Sequence, residues 1–276
     1  MIKEVQFIIP VVGQQYTDIR PTISGEDWDS IKAEAAAIAS DVNPKLAATL
    51  GKTSTSLEQL DGGISFDPVA HKYYRNGKEL LSGSAFASRF EKEFPKDLIA
   101  TKLAAKENST KEEVLAKWQK ANDISCNFGT TIHEAMEMWY RFNTEPKHPY
   151  LKQVVQSFTE GYEMKDPKCE VFVYSPSEPL CGVVDVIEYV DTNSVILHDY
   201  KTSDVSKKIS LDKDKYDGES ILLSIYALQL NFYRHICEQN GLKVKGMKVH
   251  QLDDTTWTEF DVPFILDIDK KIKAEL

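Results

Sequence analysis

The alternation of apolar and polar positions is sharpest between residues 182 and 203, GVVDVIEYVDTNSVILHDYKTS. Two β-branched runs, 183–190 and 195–201, flank the turn-forming residues Asp191, Asn193 and Ser194, and together they predict a β-hairpin. Upstream, residues 169–174 (CEVFVY) predict a strand entering the same sheet. Residues 151–164 predict a helix whose apolar stripe is Val154, Val155, Phe158 and Tyr162. Downstream, residues 220–239 predict a long helix stopped by Asn240 and Gly241. Two closing strands, 243–251 and 256–262, and a short charged helix follow.

Ahead of the hairpin, ISFDPVAHKYYRNGKELLSGSAFASRF predicts two strands about a turn at Arg75-Asn76-Gly77-Lys78, then a helix opened by Ser82 or Ser84. His71, within a strand, reads as a hydrogen-bonded structural residue. Phe94 and Pro95 end that helix, and residues 98–106 predict another. The next covers 111–121, with Ser109 or Thr110 as cap and Glu112 or Glu113 closing a capping box. Its lysines, Lys111, Lys117 and Lys120, read as a solvated face. Gly129 and the threonines after it open a separate helix to about Phe142. Within residues 1–62, the start reads as a buried strand, Ser24 as a helix cap, 31–40 as an alanine-rich helix and 53–63 as a polar linker.

The hairpin carries acids that a strand would not hold for stability, Asp185 in the first run and Asp199 in the second. Lys201 follows Asp199 by two positions and so shares its face. In an antiparallel pair, opposite residues have a constant index sum. Asp185 faces the same way as Asp199 only if that sum is even, which requires an odd-length loop or a bulge. Two carboxylates and an ammonium would then converge, a set suited to a hard divalent cation and to charge developing on a phosphate. Taken on these residues alone, the alternative is a solvated hairpin with surface ion pairs.

The form Gly182-x-x-Asp185, then Asp199-Tyr200-Lys201-Thr202-Ser203, resembles the PD-(D/E)xK nuclease superfamily and, within it, the RecB-like branch. Phe128-Gly-Thr-Thr-Ile-His133-Glu-Ala-Met-Glu137 is similar to that branch's first motif, and Gln229-x-x-x-Tyr233 to its last. The stretch around His71 to Ser84 looks like the opening of phage and mitochondrial genome maintenance exonucleases of this kind. The resemblance covers about residues 63–262 and implies an α/β restriction-endonuclease-like core, a mixed central sheet flanked by helices, in a nuclease domain at 63–276. Residues 1–62 are then an N-terminal extension of unknown role. It implies that His133, Asp185, Asp199 and the Tyr200 carbonyl hold Mg²⁺ or Mn²⁺, that Glu170 is an additional ligand, and that Lys201 acts on the reacting water or phosphate. Glu137 would pair with a nearby Lys or Arg or support His133, and Gln229, Tyr233, Thr202 and Ser203 would contact nucleic acid. The implied activity is metal-dependent hydrolysis of single-stranded DNA from a free end. The rivals are an endonuclease or CRISPR-type processing nuclease, and a non-catalytic nucleic-acid-binding protein on the same fold.

Composition narrows this picture. The chain has 276 residues, 42% of them hydrophobic, and a net charge of −10. That charge argues against a broad basic DNA-coating surface, though not against a narrow groove. The lysines at 207, 208, 213 and 215 predict a flexible element near the substrate path. Four cysteines, Cys126, Cys169, Cys181 and Cys237, include no CxxC pair and lack the late cluster by which some RecB-like relatives hold iron and sulfur, so no iron–sulfur cluster is expected. No apolar run approaches the roughly 18 residues of a membrane span, and the opening residues make a poor signal peptide. A cytoplasmic protein of a bacterial or phage-infected cell is expected, with DNA as partner, no membrane, and a replication or recombination protein as a further partner.

Overall fold

The computed structural model of the protein describes residues 3–7, 18–22, 58–60, 63–67, 70–91, 93–205 and 224–276. The expected helices at Ser24 and 31–40 and the lysine-rich loop at 207–215 lie outside them. Strands β1 (Lys3–Phe7) and β2 (Asp18–Thr22) pair antiparallel with each other.

The remaining strands form a nine-stranded mixed sheet among the described residues. They are β3 (Glu58–Leu60), β4 (Ile64–Asp67), β5 (Lys72–Arg75), β6 (Lys78–Ser82), β7 (Pro167–Tyr174), β8 (Leu180–Tyr189), β9 (Ser194–Lys201), β10 (Lys243–Asp253) and β11 (Thr256–Asp261). The order is β11-β10-β9-β8-β6-β5-β4-β3, with β7 on the other edge of β8. β10 runs parallel to β9, and β6 parallel to the first residues of β8. β3 falls inside the segment expected to be a linker, because its backbone pairs with β4. The β5–β6 turn has Asn76 and Gly77 at φ 52° and 75°, the pair of positive values a two-residue hairpin of matching twist requires.

Helices α1 (Gly83–Ser88), α2 (Lys96–Glu107), α3 (Lys111–Phe142), α4 (Pro149–Gly161), α5 (Ser224–Gln239) and α6 (Ile268–Ala274) flank the sheet. Ser82 caps α1, and Thr110 with Glu113 forms the capping box of α3. α3 is one 32-residue helix, where two were expected. Gly129 does not open a helix because Thr130 and Thr131 donate their hydroxyls to the carbonyls of Cys126 and Asn127, and so sit comfortably mid-helix. α4 ends at Gly161, three residues short of the expected end.

Two cores lie on the two faces of the sheet. One joins α1, α5 and α6 through Phe86, Leu228, Phe232, Ile236 and Ile272 to Leu180, Val184, Leu197 and Val249. The other joins α3 and α4 through Ile132, Met136, Val154 and Phe158 to Val186, Tyr200 and Trp257. Among the described residues no helix is long and apolar enough to cross a membrane.

Buried under α4 runs a polar chain. Glu188 lies 3.0 Å from His198 Nε2, and His198 Nδ1 lies 2.9 Å from His250 Nε2. Burial, followed by the nearby His198 and Lys248, holds the His250 pKa down to about 2. In the unfolded chain the ring titrates near its ordinary 6.5. The stability it contributes is therefore present above that pH and is lost as pH falls toward 2. Urea denaturation of wild type should show a decline of about 1 kcal/mol per pH unit below 6.5 from this ring. His250→Gln should flatten the profile by that amount, and an unchanged slope would remove the ring from the account.

Candidate active site

β8 has two partners along one edge. β6 pairs with Leu180 and Cys181, while β9 pairs from Val186 to Tyr189. Between those contacts the edge is free, and there β9 swings away from β8 while staying on β10 as far as Lys201. The register Tyr189↔Val195 leaves 190–194 as an odd-length connection, so the β8–β9 index sum is even. Asp185 and Asp199 therefore stand at equivalent positions just beyond the last pair, in the mouth of the fork. Asp185 Oδ2 accepts the Tyr200 N–H at 2.8 Å, taking the place of a ladder carbonyl.

A second irregularity exposes the acids. Cys169 pairs with Val186, and Val171 with Val184. Residues two apart on a strand should share a face, yet Cys169 and Val186 belong to the core under α3 and α4, whereas Val171 and Val184 pack in the core under α5. The switch falls at Glu170 and Asp185, between those two pairs. Glu170 has φ 49°, left-handed backbone that costs a non-glycine residue about 1–3 kcal/mol. Strain of this kind persists where the surrounding structure fixes it, and here it turns the Glu170 carboxylate to the fork.

His133 reaches the fork from α3. Its Nε2 lies 3.1 Å from the Tyr200 carbonyl, and its Nδ1 lies 3.6 Å from Asp185 Oδ2 and 3.8 Å from Glu170 Oε1. Gly129, one turn earlier, packs near Thr202, where an added Cβ would make only an ordinary 3.5 Å contact with Oγ1. One ligand atom each from His133, Glu170 and Asp185 lie within 4.8 Å of one another, and the three side chains are 27%, 33% and 14% exposed, so an ion can enter. One imidazole and two carboxylates form a donor set that fits a divalent metal of the harder kind. The four cysteines do not cluster: Cys126 is exposed on α3, and Cys169, Cys181 and Cys237 lie in three separate cores.

Asp199 stands apart from that triad. Its Oδ2 pairs with Lys201 Nζ at 2.6 Å, and the carboxylate is 4% exposed. Burial, opposed by Lys201 and reinforced by Asp185, pushes its pKa up to about 6. For Lys201, burial works against the charge, but Asp199 and Asp185 outweigh it and the pKa is raised. For His133, burial likewise opposes the charge, and the Asp185 carboxylate with the Glu170 hydrogen bond overcomes it, bringing the pKa up to about 9. Without an ion the site thus keeps an imidazolium among its acids.

α5 closes the other side. Gln229 Nε2 donates to the Tyr233 hydroxyl at 3.2 Å. Tyr233 is buried, 5% exposed, because its ring fills the notch left by the free edge of β8. A Cβ on Gly83 or Gly182 would lie 2.4 or 2.5 Å from Tyr233 Cε1, so both positions must be glycine for the ring to fit. Tyr233, expected to contact nucleic acid, thus packs inside the fold and supports Gln229. Ser203 meets Tyr226 of α5, hydroxyl to hydroxyl, at 3.0 Å. Glu137 takes the first of its two expected roles: it is buried and paired with Arg141, one turn further along α3. Tyr226 is the site residue the sequence motifs pass over. Its signal was the i, i+3 spacing to Gln229, which puts the two on neighbouring faces of one helix.

No protein-family model matches the chain, and no curated protein matches it significantly. A solved structure titled "Crystal structure of SSO0001" is similar to 71% of this chain over 73% of its own, at 13% identity and a TM-score of 0.36.

The His133 pKa can be read by nuclear magnetic resonance in ion-free protein. Asp185→Asn and Glu170→Gln should each move it from about 9 toward the ordinary 6.5, the aspartate variant further. A ring with a raised pKa stabilises the fold fully below 6.5, and that contribution is lost as pH rises through 9. Wild-type stability should accordingly fall over that alkaline window, and less so in either variant.

Proposed function

We propose that the protein is a divalent-metal-dependent deoxyribonuclease that hydrolyses phosphodiester bonds and acts as an exonuclease on single-stranded DNA. What carries this reading is the meeting at one strand fork of the His133–Glu170–Asp185 group and the Asp199–Lys201 pair. The motif resemblance to RecB-like PD-(D/E)xK nucleases, on a restriction-endonuclease-like core, supports it from the side of sequence. The net charge of −10 fits a strand led through a confined path better than a duplex on a broad face.

His133, Glu170 and Asp185 would hold the ion, with Asp199 and the Tyr200 carbonyl as the further oxygens at hand. Mg²⁺ suits the carboxylates and Mn²⁺ accepts the imidazole as well. When bound, such an ion lowers the pKa of a water and neutralises charge on the scissile phosphate. His133 must lose a proton at Nδ1 to serve as a ligand, so cation binding releases that proton. Lys201 Nζ, with one N–H directed to Asp199, presents the others to the attacking water or to charge developing on the phosphate oxygens. Asp199 orients that ammonium. Gln229, Thr202 and Ser203 line the approach and would contact the strand, while Tyr233 sets where Gln229 stands. A replication or recombination protein would supply the single strand.

Linear single-stranded DNA should be degraded with Mg²⁺ or Mn²⁺ and spared after chelation, and a covalently closed circle of the same sequence should survive. Rapid cutting of the circle would make the enzyme an endonuclease. Binding without cutting under every divalent ion would end the nuclease reading. Lys201→Ala should reduce turnover on the order of 10²- to 10³-fold with DNA affinity nearly unchanged. In calorimetry, Mn²⁺ affinity should rise with pH from 7 to 9 as His133 gives up its proton, and should drop in Asp185→Asn and Glu170→Gln.

A further inference from the structure

Lys201 has a second neighbour besides Asp199. Its Nζ stands 5.1 Å from the centroid of the Tyr226 ring, and the Tyr226 hydroxyl lies 3.0 Å from Ser203 Oγ, two residues further along the same segment. The Lys201 side chain is 19% exposed, and Tyr226 is half-buried. A lysine carries its charge on a flexible four-carbon stem, so a fixed position for the ammonium has to be imposed by its surroundings. Asp199 alone, at 2.6 Å, would draw Nζ into a closed pair. A ring face attracts the cation from another direction and accepts no directed hydrogen bond, leaving N–H groups available.

We propose that Tyr226 is a positioning residue for Lys201, its ring holding the ammonium at the mouth of the fork and its bond to Ser203 fixing the ring. This rests on the role given to Lys201 in the proposed hydrolysis. The ring and the hydroxyl have separable tasks. Tyr226→Phe keeps the ring and loses the Ser203 bond, as does Ser203→Ala from the other side. Tyr226→Leu and Tyr226→Met remove the ring, and having two such variants covers the case in which one folds poorly.

The first readout is independent of activity. In protein carrying ¹³C-labelled lysine, the Lys201 ε-methylene protons should be displaced by the ring current. They should return toward the ordinary lysine position in the Leu and Met variants and stay displaced in Tyr226→Phe. The second is single-turnover cleavage beside DNA affinity measured in Ca²⁺. The ringless variants should cleave about tenfold more slowly with affinity unchanged, and Tyr226→Phe about threefold or less. A Lys201 resonance that ignores loss of the ring overturns the proposal. So does weakened DNA binding with an unchanged rate in the bound complex, which would make Tyr226 a contact for the strand. If wild type cuts no DNA under any divalent ion, the nuclease reading falls, and the resonance alone decides whether Tyr226 holds Lys201.

Discussion

The hydrogen bond from the Tyr200 N–H to Asp185 Oδ2 is the interaction on which the arrangement of the site depends. A sheet that separates two paired strands leaves backbone donors without partners, and a buried donor in that condition is costly. Here a side-chain carboxylate from the strand left behind satisfies the donor on the departing strand. The same atom that heals the ladder faces His133. Tyr200 is anchored on its other side, since its ring is buried against Phe158 and Trp257. The fork is thus pinned by a core aromatic and an acid, and it opens a window between the two helical layers. Through it, α3 supplies His133 from one face while α5 supplies Gln229 and Tyr226 from the other.

Charge in this window is only partly balanced. Three carboxylates, Glu170, Asp185 and Asp199, meet one ammonium and one imidazole whose pKa is raised to about 9. One negative charge is left over, which favours a bound cation. The cost shows elsewhere, in the left-handed backbone at Glu170 and in the raised pKa of the buried Asp199.

The hairpin and the shared face of Asp199 and Lys201 were legible in the sequence because strand periodicity and turn chemistry are local, whereas the odd connection was only a condition that the register then met. The capping box of α3 was legible for the same reason. The length of α3 was not, since mid-helix threonines and a glycine look like a start when their back-bonds to the preceding turn are unseen. The backbone that turns Glu170 to the fork was not legible, because it comes from a face switch between β7 and β8, which no alternation pattern announces. Helical spacing offered Glu137 both His133 and Arg141 as neighbours, and only the fold decides that the ion pair with Arg141 prevails. The close packing of Tyr233 against Gly83 and Gly182 was not legible, because neighbours so distant in the chain are fixed only by tertiary packing.

Those neighbours, Gly83 and Gly182, lie far apart in the chain and meet a single ring from α5. The consequence is a lock in sequence space. Neither glycine can acquire even a methyl group while the tyrosine stays, and shrinking the tyrosine first opens a hollow beside the acids. Three positions on a strand-to-helix junction, a strand and a helix must therefore drift together or not at all. Chains of distant ancestry that use this fork should keep the trio intact long after the surfaces around it have diverged.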